Sequence, residues 1–211
     1  MKYKDFKNKV QNFPVFSTTH ISSITNNEQV LRNQLTKWQR QGLIFSLKKG
    51  LYILNEGDRK ITPSRLFIAN QLLPPSYISC EYALSFYDLI PEKVEDVTCV
   101  TTRKTTCFKN ILGTFYYHHI KLASFVGFRQ IEDENKFPVF IAEAEKALVD
   151  FFYLNLSNFS KNDKNVFEYS YRFQNFSDLN IEKLKKFAQI LSNKKLSKIV
   201  ENFCEFISSG G

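Results

Sequence analysis

Between Glu28 and Leu54 the apolar period changes from that of a helix to that of paired strands across one glycine, and this constrains the first part of the chain most. In EQVLRNQLTKWQRQG, at 100° per residue, Leu31, Leu35 and Trp38 fall within about 60° of one another as an inward stripe. Gly42 then supplies a helix C-terminal signal. LIFSLKKGLYIL reads as two short β-prone runs, Leu43 to Leu47 and Leu51 to Leu54. Lys48, Lys49 and Gly50 join them as a hairpin with two lysines at its tip. Upstream, the segment Tyr3 to Asn12 predicts a helix with Phe6 and Val10 on one face, broken before Pro14. Ser17 is the N-cap of a second, short helix that buries Ile21 and Ile24, and Thr25 to Asn27 form the turn into the third. Three helices followed by a basic-tipped hairpin is the order of a winged helix-turn-helix, whose third helix enters the major groove while the wing touches backbone or minor groove.

Charge follows the same division. Residues 1–60 hold 11 Lys/Arg and 4 Asp/Glu, residues 61–211 hold 18 and 17, so nearly all of the net +8 belongs to the first part. A basic module in front of a neutral one points to a polyanion such as nucleic acid. On the third helix Gln29, Arg32, Asn33, Thr36 and Arg40 project away from the stripe, with Lys37 on the flank. Arg, Asn and Gln offer the paired donors and acceptors that base edges need, and Lys and Thr suit phosphates. Lys37, Lys48 and Lys49 are therefore expected on phosphates, and Ser17, Thr18 and Thr19 on the backbone from the start of the second helix. The only acid on the third helix is Glu28 in its first turn, where the helix dipole favours it. Taken singly, each of these residues is as well explained by a solvated helix or an ordinary turn; their combination favours DNA.

The boundary is expected between Gly57 and Pro63, giving units 1–60 and 61–211. The second unit reads as α+β. A helix capped by Thr62 runs to Pro74 and Pro75, and another capped by Ser79 runs to Pro91. Segregated strands follow at Val94 to Thr102, Gly113 to Ile120, Phe125 to Ile131 and Phe137 to Ile141, in an antiparallel-rich sheet. EAEKALVDFFYL and two or three further helices close the chain, around a polar interruption at Ser157 to Asn165.

Catalytic, cofactor and metal sites are not expected. His118 and His119 are adjacent on a strand and point to opposite faces. Glu143, Glu145 and Asp150 sit near a helix start, where acids are favoured without any chemistry, and Lys146 reads as a surface salt link. No glycine loop has phosphate-cradling spacing. Cys80, Cys99, Cys107 and Cys204 lack metal-ligand spacing and read as reduced structural thiols. With no signal core or membrane span, the expected location is cytoplasmic.

PSYISCEYALSFYDLIPEKVEDVTCVTTRKT, LGTFYYHHIKLASFVGF and IAEAEKALVDFFYL, with KKGLYIL before them, resemble the AbiEi family, antitoxins of abortive-infection (type IV toxin-antitoxin) systems. The resemblance covers about residues 17 to 155, and Ala144 departs from the proline expected before the Glu-Lys-Ala-Leu run. It implies an N-terminal winged helix that binds operator DNA at inverted repeats and represses its own operon. It also implies a second domain that counters a nucleotidyltransferase-like toxin without a stable complex, in a monomer or weak dimer. Two alternatives stand beside it. The second unit could be a ligand-sensing or dimerisation domain of a transcription factor, or a nuclease built on Glu143, Glu145 and Asp150.

Overall fold

The computed structural model describes residues 1–22, 28–160 and 165–209. Helix α1 (Tyr3–Val10) turns Phe6 and Val10 inward, as their spacing requires. Strand β1 (Phe16–Ser17) leads into α2 (Thr18–Ser22), where Ser17 Oγ accepts from the His20 amide at 3.1 Å. Ile21 is buried, while Ile24 and the expected turn at Thr25 to Asn27 lie outside the described residues. Helix α3 (Glu28–Arg40) buries Leu31, Leu35 and Trp38 and gives way to Gly42, whose φ of +68° suits a residue without a Cβ. Strands β2 (Ile44–Lys48) and β3 (Leu51–Leu54) form the hairpin, and β1 joins it to give an antiparallel sheet in the order β1-β3-β2.

Alternate residues of this small sheet enter two different cores. Tyr52 and Leu54 pack with Phe6, Phe16 and Trp38 beneath the first three helices. Leu47, Leu51 and Ile53 join the larger core built by the rest of the chain. LYIL is apolar on successive residues because both of its faces are covered.

Asp58 fastens the next segment to α1, accepting from the Tyr3 hydroxyl at 2.7 Å and pairing with Lys7 at 2.9 Å. The Lys7 hydrogen bond, followed by that of Tyr3, holds the Asp58 carboxyl below its ordinary value of 3.8. A depressed carboxyl contributes stability that is present above its unfolded pKa and lost as the pH falls through the folded one. Asp58→Asn should therefore be less stable than the parent at neutral pH, and the gap should close below pH 3.8. Acid titrations followed through the fluorescence of Trp38, the sole tryptophan, measure this difference.

Downstream come α4 (Arg65–Leu72), β4 (Ser76–Ile78), α5 (Cys80–Phe86), β5 (Val97–Thr101), β6 (Thr106–Asn110) and β7 (Gly113–His119). Then follow β8 (Phe128–Glu132), β9 (Pro138–Ala142), α6 (Ala144–Leu154), α7 (Ile181–Leu191) and α8 (Lys194–Ser208). The strands form one six-stranded sheet in the order β6-β7-β5-β4-β9-β8. Three of its ladders are antiparallel, and β4–β9 and β5–β7 are parallel, so the class is α+β with a mixed sheet. Among the described residues no helix is long and apolar enough to cross a membrane.

Several local expectations change. Strands β4 and β6 were not expected, and β4 lies between two helices in the chain, so the strands are not fully segregated. Three residues after Pro75 are too few to show a period, and β6 alternates half-buried with exposed positions at a sheet edge. The helix after Pro63 begins at Arg65, because the Ser64 hydroxyl rather than Thr62 accepts from the Phe67 amide at 3.0 Å. Helix α5 ends at Phe86, well short of Pro91, and Ser79 does not cap it with its side chain. Its hydroxyl donates instead to Asp150 Oδ2 at 2.8 Å. Strand β8 starts at Phe128 rather than Phe125; the Gly127 before it has φ +76°, and a Cβ there would lie 2.6 Å from the Phe187 ring.

Candidate nucleic-acid interface

Burying Leu31, Leu35 and Trp38 leaves Gln29, Arg32, Asn33, Thr36, Lys37 and Arg40 exposed on the far side of α3. Two internal contacts order that face. Gln29 Nε2 donates to Asn33 Oδ1 at 3.2 Å, and Thr36 Oγ1 donates to the Arg32 carbonyl at 3.0 Å. The Thr36 proton is thus used within the helix, leaving its oxygen to accept.

The hairpin tip meets the start of α2 through the Thr18 amide, which donates to the Gly50 carbonyl at 3.0 Å. Gly50 has φ +82°, and a Cβ on it would lie 3.3 Å from Thr18 Oγ1, so this close approach needs glycine. The result is an open groove of about 490 Å³ lined by Thr18, Thr19, Leu31, Arg32, Lys49 and Tyr52. Four residues singled out in the sequence, Thr18, Thr19, Arg32 and Lys49, are brought together there. Ser17 sits at its edge, its hydroxyl 2.8 Å from that of Thr19. Gly50 and Tyr52 were not singled out; the glycine directly after two turn lysines was the available signal.

Lys48 is the exception. A bulge between Ser46 and Lys48 shifts the register, and the Lys48 ammonium donates to the Leu72 carbonyl of α4 at 2.7 Å. Burial, then the nearby Arg103 guanidinium, lowers its pKa. Lys48 is therefore a strut between hairpin and α4, and Lys49 alone is left exposed at the tip.

The acidic group of the second unit is dispersed into structural contacts. Glu143 pairs with Lys183 at 2.6 Å, and Glu145 accepts from the Asn180 amide at 2.9 Å. Asp150 is fully buried, accepts from the Tyr77 and Ser79 hydroxyls, and forms an ion pair with Lys146. Lys146 is 1% exposed, which corrects the expected surface salt link: α6 is buried on all sides from Glu145 to Phe152, so the pair lies in the core. Burial, then the Asp150 charge, pushes the Tyr77 phenol far above its usual range. His119 Nδ1 lies 3.0 Å from the Arg103 carbonyl, and His118 is half-buried on the other face of β7. Among the described residues no three His, Cys, Asp or Glu side chains converge as a metal site.

Cys80, Cys99 and Cys204 are buried, and burial raises all three thiols. Cys107 alone is exposed, at a strand position on β6. Titration of the native protein with a chromogenic disulfide reagent should give one fast thiol of the four, absent in Cys107→Ser. Fast release of two or more would contradict this burial pattern.

Comparison with protein-family models gives no match, and no curated protein matches the chain.

Proposed function

We propose that this chain is a DNA-binding antitoxin whose first unit is a winged helix-turn-helix that represses its own operon. Its second unit counteracts a nucleotidyltransferase-like toxin without forming a stable complex with it. One observation carries the DNA half: the order helix, strand, helix, helix, hairpin, closed by a β1-β3-β2 sheet, leaves the polar face of α3 exposed beside Lys49. That is the arrangement in which a recognition helix reads base edges and a wing holds the backbone. The antitoxin half rests on the resemblance of the second unit to AbiEi sequences.

Each half has its own test. Full-length protein is titrated against duplex from its own upstream region and against a scrambled duplex. Tighter binding to the first supports the repressor reading, and equal or absent binding ends it. Co-expression with the adjacent open reading frame tests the other half. Growth arrest by the neighbour, relieved by this chain, supports an antitoxin; arrest without relief, or no arrest, removes it.

A second reading, a winged-helix regulator with a ligand-sensing second domain, is favoured by one feature. Pro74, Pro75, Phe125, Phe128 and Phe140 line an apolar pocket of about 410 Å³ that Ser76 also borders. The buried Ser76 Oγ has no hydrogen-bond partner among the described residues. Operator affinity that changes with a small aromatic metabolite would select this reading.

A further inference from the structure

Phe140 on β9 leaves 38% of its surface exposed, although Phe128 meets it edge to face at 6.0 Å. Phe125 packs on Phe128 at 5.0 Å, and Pro74, Pro75 and Pro138 complete the apolar wall of one pocket. Among the described residues no charged side chain lines it. An exposed ring by itself is ordinary at a protein surface. The polar groups beside these rings are what set the pocket apart.

Asn70 spends its side chain on the backbone. Its Nδ2 donates to the Ser76 and Phe140 carbonyls at 3.3 and 3.4 Å, and its Oδ1 accepts from the Phe140 amide at 2.6 Å. The Pro75 carbonyl accepts from Thr101 Oγ1 at 2.7 Å. The Ser76 hydroxyl, on a residue only 6% exposed, is left without a partner among the described residues. A water answers it poorly, because a buried water is held by about two to four polar groups and the neighbouring ones are engaged. A ligand that offers one hydrogen bond and covers the rings displaces so loosely held a water at small cost.

The lining also selects the chemistry of that ligand. An ion would lose its hydration with no counter-charge to meet it. A molecule with several polar groups would leave most of them unpaired. The volume of about 410 Å³ lies within the roughly 300–1,000 Å³ of small-molecule sites.

We propose that this pocket binds an uncharged aromatic molecule carrying a single N–H or O–H, whose rings pack on the phenylalanines and whose donor engages Ser76 Oγ. This deepens the ligand-sensing reading above and rests on the pocket that favours it, not on DNA binding. Helix α4 ties the site to the hairpin: Asn70 and Gln71 border the pocket, and the carbonyl of the next residue, Leu72, holds Lys48.

The test titrates the full chain with indole, N-methylindole and indole carboxylate, followed by saturation-transfer NMR. Indole should saturate one site. N-methylindole, which lacks the donor, should bind about 2- to 13-fold more weakly, the worth of one neutral hydrogen bond, and the charged carboxylate should not compete. Ser76→Ala removes a hydroxyl that has no partner, so the fold stays; indole affinity should fall by the same factor and that of N-methylindole should not change. Phe140→Ala, which removes an exposed ring, should weaken both alike. No saturable indole binding, or binding that both substitutions leave unchanged, overturns the site. Operator affinity with and without indole is read separately: saturable binding that leaves it unchanged keeps the site and ends the sensing reading.

Discussion

Asp150→Ala lowers the melting temperature of the full chain by about 6–20 °C, the largest effect expected of any single substitution here. The carboxylate is fully buried, and its removal strands the Lys146 ammonium in an apolar helix with no counter-ion. Breaking a buried pair from one side costs about 3–5 kcal/mol, a large share of the roughly 5–15 kcal/mol that holds a domain folded. The Tyr77 and Ser79 hydroxyls, which donate to Asp150 at 2.9 and 2.8 Å, lose their acceptor as well. Lys146→Met combined with Asp150→Asn removes both charges and keeps an acceptor for the hydroxyls, so it should melt above Asp150→Ala. Thermal scans of the three proteins decide it. An Asp150→Ala protein that melts within about 2 °C of the parent would show that the pair is dispensable.

Arg32→Ala with Arg40→Ala should abolish operator recognition while leaving the melting temperature in place. Both side chains are exposed on α3, away from the Leu31, Leu35 and Trp38 stripe, where a substitution usually changes stability by no more than about 0.5 kcal/mol. A bidentate contact to a base edge is worth about 1–3 kcal/mol. Two together amount to roughly 2–6 kcal/mol, or about 30-fold to 10⁴-fold in affinity. If they read bases, the operator loses more affinity than a scrambled duplex. Equal loss on both would assign the two arginines to the backbone, and no loss would remove α3 as the reading element.

Much of the first unit could be read from local pattern, because its determinants are close in sequence. The stripe of Leu31, Leu35 and Trp38, the Ser17 cap and Gly42 each act within a few residues, and each stands where the spacing put it. What escaped local reading was set by distant partners. Lys48 finds a carbonyl 24 residues away, and its direction depends on a bulge that no local pattern announces. Ser79 gives its hydroxyl to Asp150, 71 residues on, in preference to its own helix. Lys146 carried a legible signal that was passed over. A Lys and an Asp four apart, flanked by Ala147, Leu148, Val149, Phe151 and Phe152, leave the helix no polar side on which to place them. Within the candidate interface, the exposed face of α3 followed from helical geometry, whereas the Thr18–Gly50 contact that closes the groove joins segments 32 residues apart and needed the fold.

The strand from Leu51 to Leu54, shared between two cores, sets how the molecule can be taken apart. A chain cut after residue 60 would bare Leu47, Leu51 and Ile53 on one side of the cut and the apolar floor that receives them on the other. Neither piece would be a portable cassette. If α3 reads DNA as proposed, its specificity can be exchanged through α3 side chains, but transplanting the first unit onto another body must carry its dock with it. Heat should correspondingly melt the chain as one cooperative block, because the sheet that backs α3 is also a wall of its neighbour.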